Sequence, residues 1–293
     1  MFKKFEREKF KKNYTGTMLV APGLLLIFMI LVVPIFFTIF ISFHDYSYLN
    51  LGDFVGLDNY DVLIDAQTIN SLGRTIFISL LGVALSMFFG LSLALLVDKE
   101  RGKFGYVIQL VALLTWITSM IVSSLIWRWI LDNDAGLLNY GLRKIGLGTV
   151  NVFSNANFAI ATLIFVMSWR TIGYAMIMIL AGLKGISNDQ IEAGKVDGAN
   201  NFQILKNIKL PLIKTQMLIA SIVILLSNFN NMTVPLTLTA GGPAGATTVV
   251  SLLLFRLGFL YFSYGRASAL SFFILIITTI FIVAYMKLVK YDI

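Results

Sequence analysis

Between Ile191 and Lys214 the chain reads IEAGKVDGANNFQILKNIKLPLIK, an amphipathic stretch, basic on balance, broken at Gly198 and Pro211. Long apolar runs flank it on both sides. Asn13–His44, Thr75–Val97, Phe104–Trp127, Thr215–Phe255 and Ala267–Met286 each lack Asp, Glu, Lys and Arg, and Arg170 is the one charge between Ile145 and Leu183. A spanning helix needs roughly 20 apolar residues. The runs therefore predict six spans, at about 18–43, 75–97, 106–130, 158–183, 213–233 and 267–287. They are continuous rather than alternating, which argues against a strand barrel. Hydrophobic residues make up 58% of the 293 and charged residues 13%, against about 25% charged in a soluble domain. The fold class expected is an all-α integral membrane protein.

The first run follows a basic segment (Lys3, Lys4, Arg7, Lys9, Lys11, Lys12), as a signal peptide would. Its apolar stretch far exceeds the roughly 7–15 residues of a signal h-region, so an uncleaved first helix is expected. Lys and Arg bias then sets orientation. With the N-terminus inside, segments 1–15, 98–105, 184–214 and 287–293 hold 6, 3, 5 and 2 of the 23 basic residues. Segment 45–65 carries Asp45, Asp53, Asp58, Asp61 and Asp65 and no base. Both termini are expected in the cytoplasm, and the net charge of +8 is mostly this orientation signal, so no nucleic-acid partner is called for. With no cysteine, disulfides and thiolate metal sites are excluded.

No catalytic or metal site is expected. The one histidine, His44, falls at the outer end of the first span, where a structural role at the interface is the simpler reading. The run Gly241-Gly242-Pro243-Ala244-Gly245-Ala246-Thr247-Thr248 is superficially similar to a phosphate loop. It lacks the Lys that reaches the phosphates and follows a span rather than a buried strand. Any nucleotide that drives transport would be hydrolysed on another chain.

Within the central stretch, Ser187 and Gln190 fit a capping box, opening a short helix through Glu192 to about Val196. Gly198 interrupts it, Asn200 or Asn201 can cap a second helix, and Pro211 is expected to close that helix at the membrane edge. Phe202, Leu205 and Ile208 fall on one face with Ile204 beside them. The residues alone leave two readings open: a helix lying on the lipid surface, or a helix pair fitting a groove on a cytosolic partner.

Glu192-Ala193-Gly194-Lys195-Val196-Asp197-Gly198-Ala199, then Phe202, Leu210 and Pro211, resembles the EAA loop of ABC importer permeases. Gly194 stands where the pattern has a second Ala, loosening the helix by ~1 kcal/mol but keeping a small residue. Phe54–Tyr60, Trp127-Arg128-Trp129 with Gly136 and Asn139, Trp169 with Leu180–Leu183, and Thr239–Pro243 resemble segments of the binding-protein-dependent sugar permeases. The matches run in order over about 17–288. The resemblance implies six transmembrane helices with a MetI-like type I permease core: a cytoplasmic basic segment at 1–16, a first helix and outer loop at 17–70, and a permease domain at 71–288 that includes a coupling loop at 187–211.

It further implies a multi-pass protein of a prokaryotic cell membrane that is not an enzyme. Its implied partners are a cytosolic ATPase dimer, a second related permease and an external solute-binding protein. This chain would bind no cofactor, with ATP and Mg²⁺ held on the ATPase. Glu192, Ala193, Gly194, Asp197, Gly198, Ala199, Phe202 and Pro211 are the expected coupling residues. Polar groups inside a bilayer are costly and default to function. Trp169, Arg170, Tyr174, Asn228, Asn230 and Asn231 are therefore the expected solute site, with aromatic faces for a sugar ring and amides for its hydroxyls. Interhelical hydrogen bonding is the structural alternative. A sugar or oligosaccharide is the expected solute, with glycerol phosphate, a polyol or an acidic sugar as alternatives. A secondary transporter or channel fits less well, because no acidic residue falls within an expected span. A membrane enzyme fits least, for want of an ionisable cluster.

Overall fold

The computed structural model describes residues 18–100 and 102–288. The basic segment at 1–16, and Arg101 and residues 289–293 of the charge count, lie outside the described residues. The chain divides into two compact units, 1–64 with 257–276, and 65–256 with 277–293.

In the first unit, α1 (Met18–Ser42) is the first span. It contains a wide turn at Phe28–Val32, closed by the Val33 N–H on the Phe28 carbonyl five residues back. Pro34 follows. Proline has no N–H and its ring crowds the carbonyl four residues back, and the widened turn makes the room. A two-stranded antiparallel hairpin, β1 (His44–Ser47) and β2 (Asn50–Phe54), adds to the helices. The hairpin was not legible in the sequence. Its two-residue turn, Tyr48-Leu49, puts both residues at positive φ (50° and 63°), where Asn-Gly is the usual signal. The Tyr48 N–H donates to the Phe262 carbonyl at 3.0 Å and the two rings stack. Asn59 Nδ2 donates to the carbonyls of Ser42 and His44 (3.0 and 2.8 Å), so the Phe54–Tyr60 motif pins the base of the hairpin. His44 packs on Phe40, with Nδ1 at 2.8 Å from the Phe40 carbonyl.

The second unit is built around α2 (Ala66–Lys99) and α6 (Ala156–Lys184), which share the most extensive helix packing. One face of α2 is a buried run of small residues, including Thr75, Ser79, Gly82, Ser86, Gly90 and Ala94. Their helical spacing lets backbones approach closely, the usual solution where lipid gives helices no hydrophobic reason to associate. A Cβ on Gly90 would lie 2.6 Å from that of Ala175. Ser86 Oγ and Thr171 Oγ1 are hydrogen-bonded at 2.7 Å.

The third expected span is not one helix. It is α3 (Lys103–Ile117) and α4 (Met120–Ile130), bent by 101° at a short break. The uncharged run 104–127 continues through the break, where Thr118 and Ser119 are extended. The chain continues through α5 (Leu137–Lys144), α6, α7 (Asn188–Val196) and α8 (Asn201–Leu212), which meets α9 (Lys214–Phe229) at a bend of 67°. The fifth span therefore ends earlier than expected. Pro235 lies in a separate helix, α10 (Thr233–Thr239). Next come α11 (Val250–Leu260) and α12 (Tyr264–Leu288). Among the described residues four helices are long and apolar enough to cross a membrane, or up to six if each bent pair is one span.

Candidate functional site

The pair α7–α8 is built from local signals. Gly198, at φ +80°, ends α7 in a Schellman turn: Ala199 N–H bonds the Gly194 carbonyl at 2.9 Å and Gly198 N–H the Lys195 carbonyl at 3.0 Å. Asn200 then caps α8 reciprocally with Gln203, at 2.9 and 2.8 Å. The capping box expected at Ser187 does not form. Ser187 occupies the N-cap position without a side-chain bond, and both Ser187 and Gln190 are exposed.

Pro211 does not close α8 either. The Leu210 N–H bonds the Leu205 carbonyl five residues back, the same wide turn that precedes Pro34. The helix accommodates the proline and turns only at Ile213 (φ −94°, ψ 7°).

Burial is uneven among the apolar side chains of α8, with Leu205 and Ile208 half-buried. Ile204 is buried (4% exposed) while Phe202 is 69% exposed. Gly194 is buried at the crossing of the two helices, where a Cβ would meet Ile208 Cδ1 at 2.6 Å. Glu192, Ala193, Asp197 and Gly198 are exposed, Ala199 is half-buried, and Pro211 is exposed. Val196, at 86% exposed, joins Phe202 as an apolar group on this surface, and sequence reasoning missed it.

The other expected residues divide. Arg170 is buried (7% exposed), and its Nη2 donates to the Thr118 carbonyl at 3.2 Å. Thr118 lies in the α3–α4 break, so Arg170 satisfies backbone that the bend leaves open. Trp169 and Tyr174 flank the same region: Trp169 packs edge-on to Trp127 at 5.6 Å and Tyr174 lies against Trp116 at 5.2 Å. Trp169 also lines a cavity of ≈ 400 Å³ whose other walls, Thr115 apart, are apolar.

The three asparagines do not converge. Asn228 is buried beside Gly82, its Nδ2 without a partner. Asn230 is exposed and donates to Leu226 of its own helix. Asn231 accepts from Val234 N–H at 2.9 Å and reaches Met120 Sδ at 3.6 Å. Asn139 is a structural hub, bonded to the carbonyls of Asp132, Asn133 and Val150 and to the Val150 N–H.

A cluster absent from the sequence reading sits at the root of α8. Asp98, near the end of α2, pairs with Lys209 at 2.7 Å and with Lys184, at the end of α6, at 3.1 Å. The Asp98 and Lys209 side chains are largely enclosed, at 16% and 17% exposure.

Comparison with known proteins gives a consistent picture. The family profile described as binding-protein-dependent transport system inner membrane component matches residues 66–291. The trehalose/maltose transport system permease protein MalF of Thermococcus litoralis is 31% identical over 288 residues, 97% of this chain and 96% of that protein. The sulfoquinovosyl glycerol transport system permease protein SmoG of Agrobacterium fabrum is 30% identical over 266 residues, 89% and 86% of the two chains. A solved bacterial alginate ABC transporter, in complex with alginate pentasaccharide-bound periplasmic protein, contains a chain that superposes with TM-score 0.84 at 20% identity, over 97% of this chain and 96% of that one.

Proposed function

This chain belongs to the binding-protein-dependent transport system inner membrane component family, and on that premise we propose that it forms half of the pathway by which an ATP-driven importer takes up a sugar or oligosaccharide. It is a membrane transport subunit, not an enzyme. An external binding protein delivers the solute, a second related permease completes the pathway, and a cytosolic ATPase dimer holds ATP and Mg²⁺. Both termini face the cytoplasm. The names of the relatives, trehalose/maltose and sulfoquinovosyl glycerol permeases, support a carbohydrate solute.

One observation carries the coupling role: α7 and α8 cross at Gly194 and leave Glu192, Asp197, Val196 and Phe202 exposed. A Gly-turned helix pair with an apolar tip and flanking acids suits a groove edged by basic groups. ATP binding closes the ATPase dimer and moves this pair, and the spans rock as rigid bodies to alternate access. Trp169 and Tyr174 offer sugar-stacking faces, Arg170 and Asn231 offer polar groups at the α3–α4 break, and Asn228 and Asn230 offer amides at separate points along the solute path. The test is purification of the assembled importer followed by solute-stimulated ATP hydrolysis. Glu192→Lys with Gly198→Asp is expected to abolish the stimulation, and unchanged stimulation would remove the role given to the loop.

A further inference from the structure

We propose that Asp98 is a positioning residue that fixes the coupling helix α8 to the inner ends of two spans, so that displacement of the loop becomes displacement of α2 and α6. The inference rests on the coupling role proposed for α7–α8. Two lysines from different elements meet at one carboxylate. Lys209 is the last residue of the wide turn of α8 and reaches Asp98 at 2.7 Å, while Lys184 reaches the other carboxylate oxygen at 3.1 Å. Each of the three residues adjoins a member of one apolar cluster. Val97, Leu183 and Ile213 are buried in it and Leu210 packs against it. Asp98 follows Val97, Lys184 follows Leu183, and Lys209 precedes Leu210.

Apolar packing alone resists separation of the elements but allows sliding, because it is non-directional. Two charge-assisted hydrogen bonds to a single, largely enclosed carboxylate fix direction as well. The close approach of α6 to the start of α9 supports the same joint: a Cβ on Gly182 would lie 3.2 Å from Ile213 Cβ. The joint thus links the loop to both helices that dominate packing in this unit. Lys184 is the looser partner, its side chain 59% exposed, so Lys209 carries more of the link.

The experiment uses the complete importer in proteoliposomes, measuring ATPase retention, ATP hydrolysis and solute uptake for Asp98→Asn, Asp98→Glu, Lys209→Met and Lys184→Met. Asp98→Asn and Lys209→Met are expected to keep the ATPase bound and hydrolysing while uptake per ATP falls about tenfold, within the span by which substitutions along a coupling path act. Asp98→Glu is expected to restore most of the ratio, and Lys184→Met to change it less than Lys209→Met. An unchanged uptake-to-ATP ratio with the ATPase bound would overturn this inference alone. A loss of uptake that merely tracks loss of assembled complex in both Asp98→Asn and Lys209→Met would also overturn it, leaving a folding role. Failure of the unaltered chain to retain an ATPase would overturn the proposed function, and this inference with it.

Discussion

At the scale of the residue, the informative positions are those where a side chain is absent. Gly194 departs from the family pattern, and its sequence reading was a small loss of helix propensity. The structure gives the residue a second meaning, since it is the point where α7 and α8 cross. The neighbour it would meet is Ile208 Cδ1, the far end of a flexible side chain that can turn aside. Gly194→Ala is therefore expected to keep uptake within about twofold, with ~1 kcal/mol of helix propensity gained offsetting a small rearrangement. Gly194→Phe should wedge the pair apart and lower ATPase retention by about tenfold, as disruption of a docked surface does. Solute uptake in proteoliposomes measures the first and co-purification of the complex the second, and equal retention by the two variants would show that the crossing is not required. The same comparison explains why the motif was readable and its geometry was not. Gly198 and the Asn200–Gln203 cap act within a few residues, and both form as their sequence suggests. Ser187 carries a comparable local signal but makes no side-chain cap bond, although Asn200 and Gln203, which are equally exposed, do.

At the scale of the element, prolines and breaks were where linear reasoning lost most. Pro34 and Pro211 each follow a widened turn in which the preceding residue, Val33 or Leu210, bonds five residues back. A turn of this kind admits proline without ending the helix, so Pro211 sits inside α8 rather than past it. The α3–α4 break falls at Thr118-Ser119, which interrupt the apolar run. Arg170 of α6 meets its backbone and Asn231 after α9 reaches the Met120 side chain, residues far away in sequence. Close packing of α3 on α6 is equally non-local. A Cβ on Gly173 would meet the Ala112 carbonyl, and backbone cannot move aside as a side-chain tip can. Gly173→Ala is expected to cost about 3 kcal/mol, at the upper end of overpacking penalties. It should lower the melting temperature of the detergent-solubilised chain and reduce assembled complex; an unchanged melt would mean that α3 is free to shift.

At the scale of the whole molecule, orientation is the property that the charge count assigns and chemistry can check. The chain has no cysteine, so single replacements report position without background. Leu147→Cys lies in the segment between α5 and α6 and is 69% exposed; it should react with an impermeant maleimide in intact cells. Asn201→Cys on α8 should react only after permeabilisation, and the reverse pattern would invert the assigned topology. The membrane class, the approximate spans, the Gly turn and the Asn cap were all legible in the chain alone. Hydrophobic length, Lys and Arg bias and turn chemistry are summed along the chain or set by near neighbours. Only the tertiary structure decided that the third span breaks, that Arg170 faces a backbone carbonyl, that the three asparagines part company, and that Asp98 holds Lys184 and Lys209 together. The Arg170–Thr118, Asn231–Met120 and Asp98–Lys209 contacts join residues more than fifty positions apart, so packing between helices, not near neighbours, brings them within reach.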